Sequence, residues 1–403
     1  MQLAIVRRRY NPYGGAERFI AQLVDALSPH GISVSILSQH WDKQSASSDG
    51  AAVGLEAAGP QGPQVVPIAS TGVTRTQQAR AFAQGVRDVL RQMPFTLVQS
   101  HERLLGADVY RLGDGVHAAW LARLEGDFAR RNPWLARLGF ASLRYRFDAY
   151  HQMVLDLEAQ MARDPNLHYV ANSQLVLDEL IHHYAVSAQR ITLIPNGVDT
   201  QRFAPLPPAQ RTQLRAELGV SGNQPVVLFV GSGFRRKGAF ELVEAMGHLP
   251  GVLAWIVGKD KEAGALERLI QRRGLSDRVS LLGPRTDVAR LMQACDLFAL
   301  PSLYDPSPNA VLEALACGLP VIATHDIGTM QEICAAGAGT AALRDPDDIA
   351  RAIAPLTEPD HRQSFAHAAR DLALRFDQRE VINQWIAFYA AQAKRKQSTG
   401  VVP

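Results

Sequence analysis

Cysteine is scarce: 403 residues carry only Cys295, Cys317 and Cys334. An odd, sparse set without metal-like spacing excludes a disulfide framework and a structural zinc site. It fits a reducing compartment, with each cysteine serving as a small apolar side chain. Long apolar runs are missing too. The opening MQLAIVRRRY has four or five apolar residues before three arginines, too few for a signal-peptide core. Nowhere is there a run of about 18 apolar residues that could span a membrane. We therefore expect a cytoplasmic chain. Excess charge is lacking as well: the net charge of +3 gives no global reason to expect a nucleic-acid partner.

What is present is a repeated alternation of short apolar runs and helix-like segments. QLAIV (2–6), SVSIL (33–37), FTLVQS (95–100) and HYVANS (168–173) read as buried strands in the first half. PVVLFVGS (225–232), VLAWIVG (252–258), RVSLLG (278–283), LFALPS (297–302) and LPVIAT (319–324) do so in the second. Strands separated by helices imply parallel pairing and doubly wound sheets. At 403 residues the chain is long for one core. We expect two Rossmann-like α/β domains, 1–187 and 188–375, facing a central cleft, with a C-terminal helical segment 376–403 packing back on the first. Ligands of open α/β sheets sit beyond the carboxyl ends of the strands, so the loops after the strands carry the interest.

Three such loops stand out. GSGFRRKG (231–238) combines glycines, among them Gly231 beside Ser232, with the cations Arg235, Arg236 and Lys237 ahead of a helix. Glycine lets backbone approach a ligand, and cations at a helix start favour an anion such as phosphate. The alternative is a solvated turn with surface charges. YNPYGGAER (10–18) places Gly14 and Gly15 before another helix, either a second phosphate contact or an ordinary βα turn. DPSPNAVLE (305–313) sets Asp305 in a loop and Glu313 one turn inside the following helix. Between them the amides of Asn309, Ala310 and Val311 would be free donors at the helix start. A carboxylate can clamp the vicinal hydroxyls of a ribose. The plainer reading is a capping aspartate and an exposed glutamate.

The run DPSPNAVLEALACGLPVIA resembles the signature of the retaining glycosyltransferases of family 4, which have the GT-B fold. GSGFRRKG is similar to their donor-phosphate loop, YNPYGGAER to their first glycine loop, and LIPNGVDTQRFAP to their interdomain stretch. The resemblance implies that Lys237 and Arg236 hold a donor diphosphate and that Glu313 binds the ribose. It implies that Asp305 contacts the transferred sugar. The amides of Asn309 and Ala310, with Ser307 and Val311 nearby, would meet the sugar or β-phosphate. Arg285, in GPRT (283–286), would lie where the base is read, and Gly15 would allow close approach of the phosphate or acceptor. His117, in GDGVHAAW, matches a histidine near the reacting carbon, with Asp114 as a lesser polar contact or a helix cap. One departure is clear: the first acid of the family's pair is usually glutamate, and Asp305 is one methylene shorter.

The implied reaction is transfer from a nucleoside-diphosphate sugar, with cations stabilising the leaving diphosphate. No paired carboxylates of glycosidase type occur, so no covalent intermediate is expected. The one Asp-x-Asp cluster, DPDD (345–348), reads as a helix cap, and we expect a reaction without metal or other cofactor. Residues 120–147 interleave six arginines with Trp120, Phe128, Trp134, Phe140, Tyr145 and Phe147. That mixture suggests a surface formed by Arg123, Arg130, Arg131, Trp134 and Arg137 facing anionic lipid or a glycolipid acceptor. Otherwise it is a packed, solvated domain face. The first half is most similar to lipopolysaccharide-core glucosyltransferases, which implies a UDP-glucose donor, a heptose-containing lipid acceptor, and a monomer peripheral on the inner face of the cytoplasmic membrane. The alternatives are a transferase using GDP-mannose or another sugar nucleotide, or a nucleotide-sugar-binding protein without catalysis.

Overall fold

The run LAIV fills strand β1 (Gln2–Val6), whose residues past Gln2 are completely buried. Successive side chains point to opposite faces. Ala4 and Val6 enter a core with Phe82, Val86 and Met161, while Leu3 and Ile5 enter another with Trp385, Phe388 and Tyr389. A strand covered on both faces must be apolar throughout, which is why these segments read as unbroken runs. In the computed structural model, residues 1–9, 20, 23–39, 64–137 and 148–398 are described. They form two units, Met1–Pro195 with Val381–Pro403, and Asn196–Glu380.

The first unit holds β1, β2 (Ser33–Ser38), β3 (Gln64–Pro67), β4 (Leu97–Ser100), β5 (Val109–Leu112), β6 (His168–Ala171) and β7 (Ile191–Leu193). They pair in parallel in the order β3-β2-β1-β4-β5-β6-β7. The second unit holds β8 (Val226–Val230), β9 (Leu253–Val257), β10 (Val279–Gly283), β11 (Leu297–Leu300), β12 (Val321–Ala323) and β13 (Gly339–Ala341). Their order is β10-β9-β8-β11-β12-β13, again all parallel. Both sheets are Rossmann-like, as expected. In each, the winding direction reverses once, between β1 and β4 and between β8 and β11. Loops diverge at such a point and leave a crevice at the carboxyl edge. No described helix is long and apolar enough to cross a membrane.

The expected boundary at 187 is displaced to 195/196, because Ile191–Leu193 adds an edge strand, β7, to the first sheet. The chain also re-enters the first unit at Val381 rather than 376. Helix Gln378–Ser398 buries Val381, Trp385, Phe388, Tyr389 and Gln392, an i, i+4, i+7, i+8, i+11 stripe. Tyr389 donates its hydroxyl to Gln99 Oε1 at 2.9 Å, fixing the helix on β4. Below it, Arg111 in central strand β5 is almost wholly buried, its guanidinium 5.9 Å from the Trp385 ring. Burial lowers its pKa to about 10. Cys295 and Cys317 are buried as expected of small apolar side chains, whereas Cys334 is exposed.

Candidate functional site

In the second unit the loops after β8, β11 and β12 converge. Past Val230 the backbone needs glycine: a Cβ on Gly231 would come within 2.5 Å of the Lys237 side chain, and one on Gly238 within 2.1 Å of the Pro301 carbonyl oxygen. Phe234 drops into the core and pins the single turn Phe234–Lys237, and the three cations fan out. Arg235 pairs with Glu262 and lies 4.3 Å over the Phe240 ring, away from the site. Arg236 donates to the Tyr304 carbonyl at 2.8 Å and lies 3.6 Å from Asp305, and Lys237 Nζ is 3.0 Å from the same carboxylate. Asp305 is buried and is itself clamped by backbone, its N–H donating to Asp326 and its carbonyl accepting from Gly328, each at 3.0 Å. The predicted acid and both predicted phosphate cations thus form one cluster at the carboxyl edge.

Helix Asn309–Ala316 follows directly, with Glu313 buried along with the rest of residues 311–316. Asn196, unremarked in the sequence, donates its side-chain amide to the Ser307 carbonyl at 2.9 Å and to Asn309 Oδ1 at 2.8 Å, tying the domain-entry segment to the loop. Ser307 is buried, and its hydroxyl has no hydrogen-bond partner among the described residues. The amides of Asn309 and Ala310 stand at the helix start, where no preceding turn can accept from them.

Several expectations need correction. Val311 is not a free donor, because its N–H bonds the Pro308 carbonyl at 3.0 Å. The amides that open the Phe234 turn are taken too: Asp260 accepts from Gly233 at 2.6 Å and Phe234 at 3.0 Å. Burial raises the Asp260 pKa, but these bonds and one from the Glu262 amide outweigh it and hold the carboxyl below its usual range. Any phosphate here is therefore gripped by side-chain cations, with Asp260 shaping the loop that carries them. Arg285 is turned into a surface pair with Asp287, at 2.8 and 2.7 Å. Ser232 is exposed on the loop, and Gly15 lies outside the described residues. In DPDD, Asp345 accepts from the amides of Asp347 and Asp348, the expected helix cap.

In the first unit, His117 begins helix His117–Arg131 just past β5. Asp114 does not cap it. That helix is capped from another element: His117 N donates to both oxygens of Glu158, at 2.9 and 3.1 Å. Glu158 is buried and also accepts from Arg103 at 2.7 Å and the Tyr184 hydroxyl at 2.8 Å. Arg123 is withdrawn from the expected basic surface, since it bonds Glu179 at 2.7 Å. Arg130 and Arg131 are exposed and share Asp127, Arg137 is exposed, and Trp134 is 67% exposed. Phe140, Tyr145 and Phe147 lie outside the described residues. Asp260, Asn196, Arg103 and Glu158 escape sequence reasoning because the groups they bond lie on loops and helices distant in the chain. For Asp260 a usable cue exists, its place in the loop after a buried parallel strand.

Three histidines of this unit are held neutral. Burial, then nearby arginines, pushes His101 well down and His117 and His168 to about 4. Unfolded, a histidine titrates near 6.5, so between roughly pH 6.5 and 4 the unfolded chain binds more protons than the native one. Stability of the first unit should therefore fall as pH drops through that window. Amide exchange at pH 7 and 4.5 should show β4–β6 losing protection before β8–β12. Equal loss in both sheets would contradict the assignment.

Family models match both halves of the chain: Glycosyltransferase Family 4 over residues 13–202 and Glycosyl transferases group 1 over 210–372. Lipopolysaccharide glucosyltransferase WaaG of Escherichia coli (strain K12) is 25% identical over 347 residues, covering 84% of each chain. A D-inositol 3-phosphate glycosyltransferase of Mycobacterium marinum is 30% identical over 325 residues, 77% of this chain and 66% of that one. Among solved structures, WaaG, a glycosyltransferase involved in lipopolysaccharide biosynthesis, superposes with TM-score 0.76 at 23% identity, covering 95% and 98% of the two chains. Anabaena Alr3699/HepE in complex with UDP and glucose gives TM-score 0.71 at 22% identity, covering 97% and 100%.

Proposed function

The chain belongs to the group 1 glycosyltransferases with a family 4 N-terminal module, and from that membership we propose that it is a retaining hexosyltransferase moving glucose from UDP-glucose to a glycolipid of the lipopolysaccharide core. Its architecture is the GT-B fold. The carrying observation is the Arg236–Asp305–Lys237 cluster at the carboxyl edge of the second sheet. Before donor binds, the Asp305 carboxylate sits where the two cations can reach an anion. When the diphosphate arrives it takes over Lys237 and Arg236, and Asp305 turns to hydroxyls of the sugar. Glu313 accepts from the ribose. As the anomeric C–O bond to phosphate breaks, the cations stabilise the charge left on the diphosphate. The acceptor oxygen bonds to the anomeric carbon on the same face, and its proton passes to the leaving phosphate oxygen. Two protein cations supply the positive charge, so the reaction runs without metal. The glucose and lipopolysaccharide assignments draw support from the 84% alignment with WaaG, and UDP from the complexes of the Anabaena protein.

The test is to incubate the chain with UDP-glucose and a heptose-terminated core lipid, with and without EDTA. UDP release and an α-linked product in both support the reading. Glucose 1-phosphate release or a β-linked product overturns it. The 30% identity to a D-inositol 3-phosphate glycosyltransferase favours a second reading, a small phosphorylated acceptor, which the same assay separates by product.

A lipid acceptor also gives the exposed Arg130, Arg131, Arg137 and Trp134 a purpose, docking on the anionic inner face of the cytoplasmic membrane. Each arginine at such a surface contributes about 1 kcal/mol. Arg130→Ala with Arg131→Ala should thus weaken binding to anionic vesicles about 30-fold, while transfer to a soluble acceptor stays unchanged. Vesicle co-sedimentation checks it, and unchanged binding would refute the docking surface.

A further inference from the structure

The donor site leaves unused a second polar cluster, in the first unit, built around two histidines from different helices. His117 opens helix His117–Arg131, and His151 lies in the first turn of helix Ala149–Arg163. Their rings stack with centroids 5.1 Å apart and 28° between planes, and His117 Nε2 lies 3.0 Å from His151 Nδ1. One of those nitrogens carries the proton and the other the lone pair, so the contact holds a single proton. The backbone of each is fixed by a carboxylate: Glu158 receives the His117 amide, and Asp148 receives the His151 amide at 3.1 Å. The charged and titratable groups near the pair come from several elements. Arg103 comes from the loop after β4, Glu158 and Asp148 from the helix of His151, Tyr184 from the helix Gln174–Tyr184, and Arg75 adjoins Asp148. With Nε2 occupied, His117 keeps only Nδ1, which has no partner among the described residues.

We propose that His151 is a positioning residue: it holds the His117 imidazole by Nε2, so that His117 offers Nδ1 to a reacting hydroxyl as a neutral hydrogen-bonding group. The inference rests on the glycosyltransferase reading and on the family resemblance that sets His117 near the reacting carbon. An imidazole turns through a broad torsional well about χ2, so without His151 the ring would sample several orientations. Protonation would place a cation beside Arg103, and the enclosure keeps His117 neutral down to about pH 4.

Steady-state kinetics of His117→Ala, His151→Ala and His151→Asn from pH 4 to 8, with UDP-glucose and the lipid acceptor, test this. Asparagine sets an amide where histidine has Nδ1 and so keeps the contact. The alanine variants should each lower kcat about 10-fold or more, with the donor KM within about twofold. His151→Asn should return to within about threefold of the parent. In His151→Ala the acid limb of kcat should move up toward about 6.5, because water reaches the ring. An acid limb that stays put, or an asparagine variant no better than alanine at equal folded fraction, would overturn the role of His151 alone. Full activity in His117→Ala would overturn both this inference and the catalytic place of His117, while failure of transfer in the parent protein would strike the functional reading instead.

Discussion

Lys237→Ala should cut glucose transfer by about 10²–10³-fold, the usual cost of removing one preorganised donor from developing charge. The loss should fall on kcat as well as on kcat/KM, because the charge on the diphosphate grows as the bond breaks. A competing explanation is built into the geometry. Lys237 is 3.0 Å from Asp305, and both side chains are largely buried, at 14% and 13% exposure. Removing the lysine leaves Asp305 with Arg236 alone, at 3.6 Å, and an undercompensated carboxylate can destabilise the loop. Combining Lys237→Ala with Asp305→Asn separates the two. If the lysine serves only to neutralise Asp305, the double variant regains melting temperature and matches the Asp305→Asn single variant in activity. If it grips phosphate, the double variant regains stability yet stays about 10²–10³-fold below Asp305→Asn in activity, and that is the expected result.

How much of this was legible beforehand depended on local density of signal. Strands β1, β2, β8 and β9 were plain in the sequence because burial on both faces demands unbroken apolar runs. Strand β5 was not, since Arg111 interrupts Val109–Leu112, and the Trp385 ring that packs near its guanidinium comes from far along the chain. Strand β13 is the tripeptide Gly-Thr-Ala, with a glycine because a Cβ on Gly339 would meet the Val321 carbonyl oxygen at 2.1 Å. No propensity rule finds such a strand. The site followed the same logic. Lys237, Asp305 and Glu313 lie in short, dense motifs and were named from them. The sequence could not say that the two cations already share Asp305, nor that Asp260 fills the amides of the glycine loop, because both facts depend on contacts across loops. Glu158 caps a helix that starts 41 residues earlier, and only the tertiary fold joins them.

Glu313→Ala should weaken UDP binding by at least about 10–100-fold, the worth of a single hydrogen bond to a charged acceptor at about 1.5–3 kcal/mol. Glu313, in helix Asn309–Ala316, is only 9% exposed, so a carboxylate there is desolvated and its bonds to ribose hydroxyls would be correspondingly strong. Alanine suits a helix interior, so the unliganded protein should keep its fold, which a melting curve without nucleotide verifies. Glutamine retains one acceptor and should lose about tenfold or less. The discriminating ligand is 2′-deoxy-UDP. In the parent it should bind worse than UDP by at least about tenfold, since one partner of the clamp is gone. In Glu313→Ala the two nucleotides should bind alike, closing a cycle whose coupling energy belongs to the carboxylate–hydroxyl contact alone. If the preference for UDP survives the substitution, the ribose is held elsewhere, and the orientation of the donor along Asp305 and Lys237 must be reversed or abandoned.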